Sequence, residues 1–193
     1  MHFKIPNYIR FLFINIFCLF GFVFLLRIIF YFLFISGLTI SSGEINKSLF
    51  LGLRFDLKLA IIGFIPLALF YLIVRNFFKK EIFKKLYLGY VNILYVTILT
   101  FYLFDYGHYE YLDLRLNANA LRFFGNLNIS TQFLLDSYPI YKGTIGFIIF
   151  IYIVIKVNSI IYKAFKKIDF TSKRNSKILF SIITTLLLAF GIF

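Results

Sequence analysis

The chain has 193 residues, of which 61% are hydrophobic and 22% aromatic, with a formal net charge of +13. An ordinary soluble domain carries about 45–50% apolar residues, so this composition excludes a water-soluble globular domain and requires most of the chain to dissolve in lipid. The charge does not point to nucleic acid, because a binder needs its basic residues on a folded, solvated face. Here they collect in short loops between apolar segments.

The N-terminus carries Lys4 and Arg10 ahead of an apolar run much longer than the roughly 7 to 15 residues of a signal-peptide core, with no small-residue cleavage site. The run therefore reads as an anchor. Cys18, the single cysteine, lies inside it, so neither a disulfide framework nor a Cys-rich metal site is available. It reads as a small buried hydrophobe.

A spanning helix needs about 20 apolar residues. Segments 9–35, 57–74, 86–106 and 140–162 meet that length, and a fifth, 178–193, reaches the terminus short of a full crossing. The expectation is an all-α polytopic membrane bundle of about five transmembrane helices, truncated within the last, as in a fragment or an early-terminated reading frame. Anything beyond it would be delivered to the far side of the membrane.

Arg27 lies roughly 25 Å beyond Arg10 at about 1.5 Å per residue, near the far edge of a hydrocarbon core about 30 Å thick. It can snorkel there, and both a structural anchor and a substrate-binding role are open to it. The second span opens with GLRFDLKL, in which Arg54 and Asp56 point about 200° apart on a helix. They cannot pair with each other, so Asp105 is the expected partner of Arg54, and Arg115 a candidate for Asp56. Bundle-locking ion pairs and a polar pocket for a lipid headgroup are the two readings of this set.

Orientation follows from the lysines and arginines, which short cytoplasmic loops retain in excess. The loop after the second span holds Arg75, Lys79, Lys80, Lys84 and Lys85 against Glu81. The loop after the fourth holds Lys163, Lys166, Lys167, Lys173, Arg174 and Lys177 against Asp169. The N-terminus is thus expected in the cytoplasm, with the balanced segments 36–56 and 107–139 outside. The basic loops read as topology determinants that would also attract anionic inner-leaflet lipid.

In the outer segment, Asp105, His108, Glu110, Asp113, Arg115 and Arg122 are interleaved with aromatics, the signature of a headgroup interface. Asn117 before ANALRFF and Gly125 after it signal a short helix over 117–124, and Ser130 before TQFLLDS signals another over 130–137. Both have apolar positions at helical spacing and are too short to cross, so they should lie along the interface. Pro139 suits the first turn of the fourth span.

The run D-x-x-H-x-E-x-x-D from Asp105 to Asp113 has ligand-type residues. On a helix, however, Asp105 and His108 share one face while Glu110 and Asp113 share another. Four ligands do not converge, and neither a metal site nor an acid–base role for His108 is expected. GxSxG, Walker A, HExxH and GxGxxG patterns are all missing from the sequence. Two sequons, at Asn46 and Asn128, match a pattern that arises often by chance.

GLRFDL at 52–57, FYLFDYGHYEYLDLRLNANALRFF at 101–124 and SYP at 137–139 together resemble the N-terminal membrane part of lipoteichoic acid synthase family proteins, sulfatase-like phosphoglycerol transferases. The most specific part is Tyr102 to Phe124. The resemblance implies five transmembrane helices followed by an extracytoplasmic catalytic domain, with a threonine nucleophile and a divalent metal, typically manganese, that moves phosphoglycerol from a membrane phospholipid. No residue of that domain occurs here, so no catalytic residue, cofactor or metal ligand is carried over. The implied role is an anchor in the cytoplasmic membrane of a bacterium, inactive alone, whose partners are membrane phospholipid and the catalytic domain of the same polypeptide. A self-contained small transporter or a lipid-binding scaffold is the rival reading. A transporter calls for broken helices or an inverted repeat around a polar midplane site, whereas the midplanes read as nearly all apolar.

Overall fold

The structure, a computed structural model, describes residues 7–37, 39–73, 81–116 and 140–166, with single positions at 182, 186 and 189. Four long helices, α1 (Asn7–Phe30), α2 (Ser42–Ile73), α3 (Glu81–Leu112) and α4 (Ile140–Lys166), account for nearly all of it, and the described residues contain no strand. A single π turn, Tyr31–Ile35, extends α1. Its Ser36 N–H donates to the Tyr31 carbonyl at 3.0 Å, and the Ser36 hydroxyl donates to Phe32 O at 2.9 Å.

Among the described residues three helices, rather than five, are long and apolar enough to cross a membrane: Ile9–Ile35, Ile82–Glu110 and Thr144–Ala164. Their outward sides support that reading, since Phe17, Ile93, Phe101 and Ile160 are all at least 61% exposed. In water such a surface would be costly; in lipid it is neutral. The segment expected as a second span is the apolar half of α2, which is helical through Ile73. The expected interfacial helices 117–124 and 130–137, and all but three positions of 178–193, lie outside the described residues.

Two element boundaries differ most from expectation. α2 begins at Ser42, well before 57, because Ser41 caps it: the Glu44 N–H donates to Ser41 Oγ at 3.3 Å, and the Ile45 N–H to the Ser41 carbonyl at 3.2 Å. Glu44 in the first turn complements the helix dipole. This half of α2 is charged, so hydropathy hides it. α3 runs past 106 to Leu112 and stops where Asp113 takes φ 54°, its N–H donating to Tyr109 O at 2.8 Å. That is a left-handed C-terminal cap, which an Asp tolerates better than most residues.

The chain divides into two compact units, residues 1–91 with 160–193, and residues 92–159. In the first, α1 buries Ile9, Leu12, Ile16, Leu19, Val23, Leu26 and Phe30, alternately three and four residues apart, the spacing of a left-handed helix seam. α2 packs against it and buries every fourth position, Gly52, Asp56, Ala60, Phe64 and Ala68. Small residues on such a ridge let backbones approach closely, which matters because lipid supplies little hydrophobic drive between helices. An aromatic cluster completes this unit. Tyr87 of α3, fully buried, has ring centroids of Phe11 at 5.1 Å, Tyr162 at 5.4 Å and Phe83 at 6.4 Å, and Phe70 lies 6.1 Å from Phe83. The second unit is built on the later part of α3 and the first part of α4, where Tyr95, Ile98, Leu99 and Val154 are buried.

Candidate functional site

In the first unit, Arg27 meets Asp56. Its Nε donates to Oδ2 at 2.8 Å and its Nη2 to Oδ1 at 2.6 Å, a two-pronged bond between α1 and α2. The Asp56 side chain is only 2% exposed and the Arg27 side chain 23%. Gly52, one turn before Asp56, makes this possible: a Cβ there would sit 2.6 Å from Arg27 Cζ. The guanidinium therefore lies on bare α2 backbone and is gripped by the carboxylate one turn on. Planar, fork-shaped Arg suits such a site better than Lys.

Of the two roles open to Arg27, the pair is of the anchoring kind, a tie between α1 and α2. One expectation is corrected here: Asp56 takes Arg27 rather than Arg115. The reason is helical phase. Asp56 lies on the face of α2 that packs on α1, about opposite the face that carries Arg54.

The second constellation lies in the second unit, at the end of α3. Asp105 is 7% exposed. Its Oδ1 accepts the Leu116 N–H at 2.7 Å, and its Oδ2 lies 2.6 Å from Arg115 Nη2. The Oδ2 contact is a charge pair without hydrogen-bond alignment, which leaves that buried oxygen without a well-formed hydrogen bond. One turn later, His108 Nδ1 lies 2.7 Å from the Leu114 carbonyl. A carbonyl only accepts, so Nδ1 carries the proton. The left-handed Asp113 reverses the chain, and Asp105 and His108, on one helical face, hold the returning residues.

Asp105 thus pairs with Arg115 and not, as expected, with Arg54. The closer partner in sequence wins because closing a short loop costs less entropy than joining distant segments. Arg54 is exposed and makes no ion pair among the described residues; Glu110 is also exposed, on another face of α3. Arg122 lies outside the described residues. The described residues hold no group of three His, Cys, Asp or Glu side chains able to bind a metal.

Sequence reasoning passed over a third set. Within the apolar spans, Tyr87 donates to Asn15 Oδ1 at 2.6 Å, while Asn15 Nδ2 donates to Phe11 O at 2.8 Å. Asn158 Nδ2 donates to Asn92 Oδ1 at 2.7 Å, and Tyr90 donates to Gly63 O at 2.6 Å, one turn before Pro66 interrupts the α2 ladder. The spans are therefore less apolar inside than they read. Each Asn in a membrane helix needs a partner on another helix, and that signal was present at Asn15, Asn92 and Asn158.

No protein-family model, no curated protein and no solved structure matches this chain.

Proposed function

We infer that this chain is a membrane anchor of the kind that precedes the extracytoplasmic catalytic domain of lipoteichoic-acid-synthase-like phosphoglycerol transferases, and that it positions such a domain over membrane phospholipid. The observation that carries the reading is how the residues of the two resembling motifs are used. Gly52 and Asp56 of GLRFDL receive Arg27, and Asp105 and His108 of the later motif hold the turn at Arg115, Leu116 and Leu114. Side chains committed to one another serve position rather than turnover. In this reading the apolar half of α2 is a further crossing and residues 178–193 begin a fifth, the N-terminus is cytoplasmic in a bacterial inner membrane, and the metal belongs to the catalytic domain.

A self-contained lipid-binding membrane protein is the second reading, favoured by an unpaired basic face on α2. Reading the coding DNA past Phe193 separates the two. A continuing frame with a sulfatase-like domain is expected; an authentic stop beside unrelated genes overturns the anchor reading. The purified chain should not turn over fluorescent phosphatidylglycerol, with or without manganese, and turnover above a mock preparation would equally overturn it.

A further inference from the structure

The charged half of α2 has two faces with opposite chemistry. Asp56 and Gly52 are committed to Arg27 on one. On the other, Lys47, Arg54 and Lys58 fall within an arc of about 40° at about 100° per residue. Lys47 and Arg54 are exposed, Lys58 is partly so, and none of the three side chains makes an ion pair or hydrogen bond among the described residues. The one acid nearby, Glu44, is exposed a turn before Lys47 and does not pair with it. Exposed Phe50 and Phe55, at 65% and 62%, flank the basic row.

Beyond Lys58 the same side of α2 becomes apolar. Ile62 is 47% exposed and Leu69 39%, both within about 60° of the basic row. From Lys58 to Leu69 the helix rises roughly 16 Å at about 1.5 Å per residue, comparable to much of an acyl chain within one leaflet of a core about 30 Å thick. Cations followed by an apolar track, in line on one helix side, have the polarity sequence of an anionic phospholipid.

We propose that this side of α2 is a binding site for one anionic phospholipid. Arg54 and Lys58, one turn apart, take the phosphodiester, Lys47 adds charge on the solvent side, and Ile62 and Leu69 run beside an acyl chain. Arg54 supplies the fork that matches phosphate oxygens, and Lys58 a compact charge. The site rests on the membrane-embedded part of the reading above and does not require a catalytic domain.

The chain has no tryptophan, so single reporters are available. The full chain carrying Ile62→Trp, or Ile148→Trp on an exposed part of α4 as the comparison position, is placed in phosphatidylcholine bilayers with a minor fraction of dibrominated phosphatidylglycerol or dibrominated phosphatidylcholine. At Ile62→Trp the anionic bromolipid should quench with about fivefold preference, the attraction of about one cation to an anionic surface. The preference should vanish with Lys47→Gln, Arg54→Gln and Lys58→Gln combined, while quenching by the zwitterionic bromolipid persists and so reports a chain still inserted. Millimolar free glycerol phosphate should not weaken it. Parity at Ile62→Trp, equal preference at Ile148→Trp, survival in the triple variant, or competition by glycerol phosphate each overturns the site while leaving the anchor reading intact. Absence of quenching by either lipid at both positions overturns membrane embedding itself, and the site with it.

Discussion

At the scale of single residues, the Arg27–Asp56 pair is asymmetric, and that asymmetry is measurable. Asp56 is almost wholly enclosed, while Arg27 retains 23% exposure. Arg27→Met strands a buried carboxylate and should cost about 3–5 kcal/mol. Asp56→Asn keeps an acceptor oxygen in place and leaves a cation that reaches solvent, so it should cost about 1–3 kcal/mol. Unfolding of the purified chain in mild detergent checks both, and equal losses would show that burial does not set the cost. Gly52 adds a sign test. Ala is favoured over Gly in a helix by about 1 kcal/mol, yet its Cβ would meet the guanidinium at 2.6 Å. Gly52→Ala should therefore destabilise the parent chain and stabilise the Arg27→Met variant. The same sign in both backgrounds would mean that the slot does not confine the arginine.

At the scale of elements, the buried hydroxyl of Tyr87 ties α3 to α1. Tyr87→Phe leaves the Asn15 Oδ1 without its donor inside the bundle and should cost about 1–3 kcal/mol. Tyr90→Phe should cost less, about 0.5–1.5 kcal/mol, because its acceptor, Gly63 O, is a helix carbonyl rather than an orphaned side-chain oxygen. Detergent unfolding of the two variants side by side tests the order. The elements also show what was legible. Helical character and the span 9–35 follow from composition and length, and the described helix keeps those bounds. Which side of α1 is buried was not readable, because a helix apolar all round has no amphipathic signal. The start of α2 was readable in Ser41-x-x-Glu44, a capping box, but the charged turns after it obscured it. Phase showed that Arg54 cannot pair with Asp56, yet could not say that Asp56 would find α1. The end of α3 depends on a left-handed Asp113, which residue type permits without requiring. The partner of Asp105 is ten residues away in sequence, brought back by the left-handed turn at Asp113, which helical phase alone does not announce.

At the scale of the whole molecule, the proposed topology places the basic loops in the cytoplasm. In a Cys18→Ala background, cysteines introduced at Lys80 and Lys167 should resist a membrane-impermeant thiol reagent in intact cells, and one at Asn126 should react. Labelling at Lys80 from outside would reverse the orientation. Net stability within each unit should respond more to polar and close-packing changes than to lipid-facing ones, because exposed apolar side chains keep lipid as their surroundings on unfolding in the membrane. Ile160→Val, at a 64% exposed position, should thus change stability by less than about 0.5 kcal/mol, in contrast to Tyr87→Phe.

The aromatic cluster around Tyr87 has a consequence for how the protein is made. Its members come from residue 11 and residue 162, near the beginning and near the end of the described chain. Asn15 is synthesised 72 residues before the hydroxyl that satisfies it. At about 5–20 residues per second, α1 waits roughly 4–14 seconds in the membrane with an unfilled acceptor. Tyr162 arrives later still. A ribosome that stalls before α3 therefore leaves a helix bearing a bare amide oxygen in lipid, a chemical mark of unfinished synthesis that the completed protein no longer displays.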